Sequence, residues 1–156
     1  MVDIKEKYKD LQPLPCGVQD FEVIRTNGLL YADKTDYVYK LASDKNCFCY
    51  FLGRPRRFGK SLFLSTLECY FNARKDLFEG LKVMDLEQKW TKYEVLRFDL
   101  SGCSTPEKLT STIEYRIAEY EEKYGIRHNG NYEIKDRFSN VIRTAAKGEQ
   151  QRVVIL

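Results

Sequence analysis

The apolar positions of this chain form two kinds of pattern: short continuous runs, and longer stretches in which apolar residues return every three or four positions. Continuous runs at residues 47–52 and 153–156 predict buried β-strands, and an alternating run at 95–100 predicts a strand with one solvated face. Residues 59–71 predict a helix that is apolar on nearly every side and must therefore be buried. We expect this helix to pack against a sheet that begins at the strand before it.

Two shorter helices are predicted before residue 47. Asp20 can cap a helix over residues 21–26, and Gly28 can end that helix in the left-handed conformation. Apolar residues at positions 37, 38 and 41 predict a second helix that ends at about residue 42.

Two longer helices are predicted in the second half of the chain. Ser104 and Glu107 have the spacing of a capping box, Pro106 stands near the first helical position, and Gly125 ends the apolar stripe that follows. A further stripe covers residues 138–145. The order strand, helix, strand, helices, strand predicts an α/β fold, with a parallel sheet of about three core strands, right-handed crossovers and flanking helices.

Composition limits the classes of protein to consider. With 156 residues, 43% of them hydrophobic, the chain suits one core, and we predict an N-terminal arm at residues 1–17 and one partial domain at 18–156. No run approaches the roughly 18 apolar residues of a membrane span, and no apolar leader follows Met1. We therefore predict a cytoplasmic protein without a membrane partner. Its formal net charge of +3 neither requires nor excludes nucleic acid.

The five cysteines and the single histidine do not indicate a metal site. Cys47 and Cys49 are the only two cysteines close together in the sequence, in a Cys-x-Cys on a predicted buried strand, and this pair alone is not interpreted as a metal site. We expect the cysteines to be small buried hydrophobic residues in a reducing compartment. His128 lies in a polar turn and is expected at the surface.

The strongest candidate for chemistry is the loop at residues 54–61, Arg-Pro-Arg-Arg-Phe-Gly-Lys-Ser, between a predicted strand and a predicted helix. Backbone N–H groups of such a loop and the start of its helix form a concave donor site for phosphates. Gly59 lets the backbone approach closely, Lys60 can reach the β and γ phosphates, and the Ser61 hydroxyl can bind Mg²⁺. The common phosphate-loop pattern has glycine where this chain has Arg54, so the loop is a variant; Gly53 comes one position too early.

The arginines of the loop have three interpretations at this point. Arg54, Arg56 and Arg57 can add positive charge to a phosphate site, contact nucleic acid, or remain solvated without a partner. Arg54 and Arg57 are near enough in sequence to fold over a nucleotide. The predicted nucleotide-binding residues are Arg54, Arg57, Phe58, Gly59, Lys60, Ser61 and Leu62, with Ser61 also the predicted Mg²⁺ ligand. No base-reading motif is visible, so the choice between ATP and GTP stays open.

Residues 54–62 resemble the loop of the AAA-ATPase-like family of bacterial and archaeal proteins, which departs from the common pattern in the same way. Two further segments are similar to that family: residues 21–35, with Phe-Glu-Val-Ile-Arg and Tyr-Ala-Asp-Lys-Thr, and residues 77–81, Leu-Phe-Glu-Gly-Leu. The resemblance covers the chain from about Val18. It implies a P-loop NTPase-type domain that binds ATP and Mg²⁺ through Gly59, Lys60 and Ser61, and it leaves the role of Asp33 and Lys34 open.

In that family, a strand like residues 152–156 continues into acidic residues that position Mg²⁺ and activate water, and longer members continue into a restriction-endonuclease-like nuclease domain. This sequence has neither before it ends at Leu156. Asp99 is the one visible carboxylate that could approach the site. The simpler interpretation is that Asp99 is an exposed strand residue with no part in the site. We therefore expect MgATP binding that is weak at best, negligible hydrolysis, and self-association through the incomplete sheet.

Two other classes of function remain open from the sequence. In one, the Arg54–Arg57 basic cluster, with Phe58, contacts the backbone of nucleic acid. In the other, the chain is a nonfunctional gene remnant, and its loop is a plain strand-to-helix turn.

Overall fold

The computed structural model describes residues 11–44, 46–127, 132–148 and 152–156. These residues fall into two compact units that divide between Trp90 and Thr91. Among them, none of the helices combines the length and the apolar character needed to cross a lipid bilayer. His128, predicted at the surface, lies outside the described residues, as does much of the predicted N-terminal arm.

The first unit is helical. Its described elements are α1 (Phe21–Thr26), α2 (Thr35–Ser43), α3 (Lys60–Phe71), a 3₁₀ helix (Lys75–Phe78) and α4 (Val83–Leu86). The caps predicted for α1 are confirmed: the Asp20 carboxylate accepts from the Val23 N–H at 3.0 Å, and Gly28 is left-handed, with φ of 61°.

An aromatic cluster forms the core of the first unit. The Phe21 ring lies 4.8 Å from the Phe78 ring and 5.0 Å from the Tyr31 ring, and the Trp90 ring lies 5.2 Å from that of Phe78. The prediction that α3 is buried is confirmed, since half of its twelve residues are buried. Within the first unit it packs against α1 and α2. The segment before it, where the sheet was predicted to begin, is not a strand, so that part of the prediction is wrong.

The strand predicted at residues 47–52 is also wrong. The segment is irregular, and the side chains of Phe48 and Phe51 are 89% and 97% exposed. An extended segment is stabilised by ladder hydrogen bonds to a neighbouring strand and by packing of one face. Within the described part of the first unit no strand is available to pair with it, so apolar character alone does not make this segment a strand.

The second unit contains β1 (Glu94–Leu96), α5 (Pro106–Lys123), α6 (Ile134–Ala145) and β2 (Val153–Ile155). The strands pair in parallel, with Val95 opposite Val154. The two helices form the connection between them, and both the parallel pairing and the helical crossover agree with the prediction. The core contains three buried residues from three elements, Leu96, Ile117 and Val141.

The strands are shorter and less buried than predicted. β1 comprises only Glu94–Leu96, although backbone bonds to the other strand continue just beyond it: the Leu156 N–H donates to the Leu96 carbonyl at 2.9 Å and the Phe98 N–H donates to the Leu156 carbonyl at 2.7 Å. At Arg97, the N–H donates to the Tyr120 hydroxyl at 2.6 Å, and that hydroxyl donates to the Arg97 carbonyl at 3.1 Å. β2 is only partly buried, and the Ile155 side chain is 49% exposed. The described residues thus hold helices and a two-stranded parallel sheet, compatible with the α/β class, instead of three core strands.

The cap of α5 lies one residue later than predicted. The Thr105 hydroxyl, not that of Ser104, accepts from the Lys108 N–H at 3.3 Å. Pro106 determines this position, because proline has no N–H to donate and its fixed φ suits the first helical residue. The residue before it therefore becomes the cap. Gly125, with φ of 64°, ends the helix as predicted.

Candidate functional site

The site begins at the turn that starts α3. Gly59 is the N-cap residue, with φ of 72° and ψ of 25°, in the left-handed region that favours glycine. Its carbonyl accepts the first helical hydrogen bond, from the Phe63 N–H at 2.9 Å. The N–H groups of residues 60–62 precede that bond and have no acceptor within the helix. The turn therefore presents three backbone donors at the positive end of the helix dipole.

Lys60 and Ser61 occupy the first two helical positions, and both are exposed. Within the described part of the chain, the Lys60 ammonium and the Ser61 hydroxyl form no hydrogen bond or ion pair, and the first turn of α3 has no acidic residue. Leu62 is half-buried and offers its backbone N–H. Positive charge and donors thus face solvent without internal compensation.

Arg54 stands where the common phosphate loop has glycine, and its side chain folds back over the loop. The guanidinium donates to the Phe58 carbonyl over a long 3.4 Å, and its central carbon lies 6.0 Å from the centre of the Phe63 ring. Arg54 is half-buried, whereas Arg56 and Arg57 are exposed. Arg57 has φ of 66°, a conformation that costs a non-glycine residue about 1–2 kcal/mol.

Within the loop's own stretch of sequence, the charges are of one sign, and the nearest preceding carboxylate, that of Asp44, accepts a hydrogen bond from the Tyr50 hydroxyl. No Asp or Glu occurs among residues 46–67, and four cations fall in that interval: Arg54, Arg56, Arg57 and Lys60. In the same stretch, four aromatic side chains around the loop are exposed, those of Phe48, Tyr50, Phe51 and Phe58. The first three of these aromatic residues were missed as functional candidates, because the apolar run predicted them to lie inside a buried strand.

Asp33 and Thr35 connect α2 to the segment that starts α4. The Asp33 carboxylate accepts from the Thr35 N–H at 2.9 Å, from the Thr35 hydroxyl at 2.7 Å and from the Lys82 N–H at 2.8 Å. The Thr35 hydroxyl oxygen in turn accepts from the Val83 N–H at 3.0 Å. The role that the sequence left open for Asp33 is therefore structural within the described contacts.

Hydrogen bonds also set the pKa of Asp33. Burial alone would raise the pKa of this carboxyl, but the bonds from the Lys82 N–H and from Thr35 favour the charged form more strongly. The pKa of Asp33 consequently lies below its usual value.

Arg25 ties the upstream and downstream segments of the unit together. Its guanidinium donates to the Leu77 carbonyl at 2.7 Å and to the Glu79 carbonyl at 2.6 Å. The rings of Phe21 and Phe78, one from each segment, also pack against each other at an interplanar angle of 40°. The two sequence segments that flank the loop, residues 21–35 and 77–81, are therefore packed against each other.

The side chains available for a metal ion are few. Among the described residues, no group of three or more His, Cys, Asp and Glu side chains could hold a metal ion. A Mg²⁺ ion at the loop would take the Ser61 hydroxyl as a protein ligand and fill its other positions with phosphate oxygens and water, as this ion commonly does. Asp99 is exposed, and its carboxylate accepts from the Ser101 N–H at 2.9 Å and from the Ser101 hydroxyl.

The cysteines differ from the expectation of uniformly buried residues. All five are free, but only Cys69 is buried, where desolvation raises its thiol pKa to about 12. Cys16 and Cys49 are exposed, because the irregular segments that carry them have no packed face to place a side chain against.

Comparison with known proteins places these features in a family. A family model described as predicted AAA-ATPase matches residues 15–156. An uncharacterized protein in the vnfD 5' region of Azotobacter chroococcum mcd 1 is 38% identical over 148 residues, which are 92% of this chain and 28% of that protein. The chain thus spans under a third of that relative's length. No solved structure matches this chain. Because the family model covers nearly the whole chain, this protein belongs to the predicted AAA-ATPase family.

Proposed function

We propose that this chain binds the phosphates of ATP, with Mg²⁺, at the turn between residues 54 and 62. The observation that carries the proposal is the left-handed Gly59 at the start of α3, which leaves three backbone N–H groups without helical acceptors beside two exposed polar side chains. The family description, predicted AAA-ATPase, supports the choice of ATP over other phosphate compounds.

Each residue of the turn has a role in this proposal. The N–H groups of Lys60, Ser61 and Leu62 donate to phosphate oxygens, and the Lys60 ammonium neutralises charge on the β and γ phosphates. The Ser61 hydroxyl would hold Mg²⁺, which would supply positive charge to offset that of the phosphates. Gly59 keeps the approach open, because the space where a Cβ atom would stand has no neighbouring atom within 4 Å and its φ of 72° strains any side chain.

Arginines replace the missing first glycine in this arrangement. Arg54 holds the loop through the Phe58 carbonyl and the Phe63 ring, and Phe58 thereby serves through its backbone. Arg57, exposed and left-handed beside the turn, adds its charge from the solvent side. Ligand contacts would offset the backbone strain at Arg57, which is a reason for a strained residue to persist at a binding site.

The proposal is tested by thermal and urea unfolding with and without MgATP. At about one hundred times its dissociation constant, a ligand adds about 2.7 kcal/mol to the free energy of unfolding. Lys60→Ala removes a charged contact worth about 1.5–3 kcal/mol, so the added stability at the same concentration should fall to about 1.4 kcal/mol or less. Lys40→Ala, which removes an exposed lysine of α2, is the matched control and should keep the full shift.

Two further experiments separate the contribution of Mg²⁺ from recognition of the base. Ser61→Ala should lose the part of the ATP shift that requires Mg²⁺ and keep the part seen with EDTA present. Titration with GTP and with inorganic triphosphate tests recognition of the base. Absence of any shift with MgATP in the unmodified chain, or an equal shift in Lys60→Ala, would contradict the proposal.

A further inference from the structure

The segment before α3 exposes an unusual amount of aromatic surface. Its rings are exposed to 89% at Phe48, 46% at Tyr50, 97% at Phe51 and 64% at Phe58. Single exposed apolar residues are normal in soluble proteins, but a concentration of large ones marks a surface that binds something. These residues, with Arg54, Arg56, Arg57 and Lys60, are called the aromatic–arginine segment below.

The same segment holds the excess positive charge of the chain. It contributes four of the 26 basic residues and none of the 23 acidic ones, which leaves 22 basic and 23 acidic residues elsewhere. A partner attracted to this surface should therefore be an anion. Because the rings stand in the same stretch as the cations, that anion should also offer flat apolar faces.

Single-stranded nucleic acid combines these two properties. Proteins that bind it follow the phosphate backbone with cations and stack successive bases on aromatic side chains. A duplex hides its base faces, and sequence reading in its major groove uses a helix or a β-ribbon, whereas residues 46–59 of this chain are irregular. We propose that the aromatic–arginine segment binds single-stranded nucleic acid, by stacking bases on Phe48, Tyr50, Phe51 and Phe58 and pairing phosphates with the four cations.

An anionic membrane surface fits the segment less well. Interfacial binding segments are typically amphipathic helices rich in lysine and arginine, and no helix is present between Ser43 and Lys60 in the described part of this stretch. Arginine is also the cation that contacts phosphate bidentately and stacks on rings, and three of the four cations here are arginines. The experiments below therefore include binding to anionic lipid vesicles as a result that would contradict the proposal.

The length of the segment and its number of cations determine the expected size of the bound nucleic acid and the salt dependence of its affinity. Thirteen residues, 48–60, reach at most about 47 Å when fully extended, at about 3.6 Å per residue, which suits a short stretch of nucleotides. Each phosphate contact contributes about −0.7 to the slope of log affinity against log salt for a single strand. Four contacts therefore predict a slope of about −2.8, or about a 50-fold loss of affinity between 50 and 200 mM salt.

The first test is fluorescence anisotropy with labelled 20-nucleotide oligodeoxyuridylate and oligouridylate, which differ only in the sugar, titrated with the whole chain at 50 mM salt. Phe48→Ala and Phe51→Ala should each weaken binding about 5- to 150-fold, because stacking is worth about 1–3 kcal/mol per base. Both rings are so exposed that their removal leaves no cavity. Tyr37→Ala, at a 56% exposed ring on α2, is the matched control and should leave affinity unchanged.

The second test separates phosphate contacts from stacking. Arg56→Gln should make the salt slope shallower by about 0.7, whereas Lys40→Gln, at an exposed lysine of α2, should not change it. Comparable affinity for the two oligonucleotides would show that the surface does not distinguish DNA from RNA. A difference in affinity would show which sugar the surface prefers. Both results support the proposal.

The experiments also separate this proposal from ATP binding. Phe51→Ala and Arg56→Gln should weaken oligonucleotide binding and keep the stability shift with MgATP. Lys60→Ala should reduce that shift by about half or more and should remove only one of the four phosphate contacts. The proposal is overturned by no binding at 50 mM salt, by equal or tighter binding of duplex DNA, by affinity that Phe48→Ala and Phe51→Ala leave unchanged, or by binding to phosphatidylserine vesicles in place of oligonucleotides.

Discussion

Asp33 uses both carboxylate oxygens to hold segments that are far apart in the sequence. One oxygen accepts from Thr35 at the start of α2, and the other accepts from the Lys82 N–H, 49 residues away along the chain. Arg25 makes a comparable connection from α1 to the carbonyls of Leu77 and Glu79. Both residues stand in the segments that flank the loop, and their described contacts are to backbone and to Thr35 rather than to the loop itself.

Replacing Asp33 with asparagine should destabilise the first unit. Asparagine keeps one acceptor oxygen and turns the other into a donor, so either the Thr35 N–H or the Lys82 N–H faces another N–H group. A lost hydrogen bond to a charged group costs about 1.5–3 kcal/mol. Urea unfolding should show this loss in Asp33→Asn, whereas Asp85→Asn, at an exposed carboxylate of α4, should stay close to the unmodified chain.

The destabilisation by Asp33→Asn should also depend on pH. Hydrogen bonds lower the pKa of Asp33 in the folded state, so its carboxylate stabilises the fold at pH values above about 3.9, its unfolded pKa. That contribution is lost as the pH falls through the folded value. The difference between the two proteins should be full at pH 7 and shrink below about pH 4. A constant difference down to pH 3 would show that the charge of Asp33 is irrelevant.

Three of the described helices end with the same hydrogen-bond motif, in which a left-handed residue follows the C-cap. Gly28 takes that position after α1 and Gly125 after α5, while after α3 it is Ala73, with φ of 57°. The motif after α3 is complete: the Ala73 N–H donates to the Tyr70 carbonyl at 2.9 Å and the Arg74 N–H to the Cys69 carbonyl at 3.0 Å. A residue with a Cβ atom is thus strained at the end of the helix that carries the candidate site.

Ala73→Gly should therefore stabilise the protein by about 1 kcal/mol, because glycine removes the left-handed strain of the alanine. Gly28→Ala is the matched reverse change in the same unit and should destabilise by a similar amount; its added Cβ meets no atom within 4 Å, so only the backbone strain changes. Thermal unfolding should show melting temperatures that move in opposite directions by several degrees. Movement in the same direction would disprove the assignment of strain to Ala73.

Local signals in the sequence were enough to predict the main helices. Asp20 and Gly28 identify the ends of α1, and Gly59, followed by an apolar run, identifies the start of α3. The structure of residues 47–52 could not be predicted in this way, because a strand exists only where a neighbour pairs with it. The candidate site was also predicted only in part. Gly-Lys-Ser is a local signal that identifies the turn, whereas the exposure of Phe48 and Phe51 depends on the tertiary packing of the unit, which leaves both side chains uncovered.

The whole chain is nearly neutral apart from one short region. With the four cations of the aromatic–arginine segment set aside, 22 basic and 23 acidic residues remain. Clustered charge of one sign attracts anions far more effectively than the same charge spread over a surface of mixed sign. Both the proposed phosphate site and the proposed nucleic-acid surface depend on this asymmetry, and each draws on the same cations.

The contribution of the cluster can be measured against that of net charge. Replacing Arg54, Arg56 and Arg57 with glutamine lowers the formal net charge from +3 to 0, and so does replacing Lys40, Lys75 and Lys89, three exposed lysines of the same unit. Isocratic retention on a heparin column should depend on log salt with a slope about two units shallower in the arginine variant, at roughly 0.7 per lost contact for a flexible polyanion. The lysine variant should retain nearly the slope of the unmodified chain. Equal changes in the two variants would mean that anions respond to total charge, and the clustering of cations beside the turn would then have no part in binding.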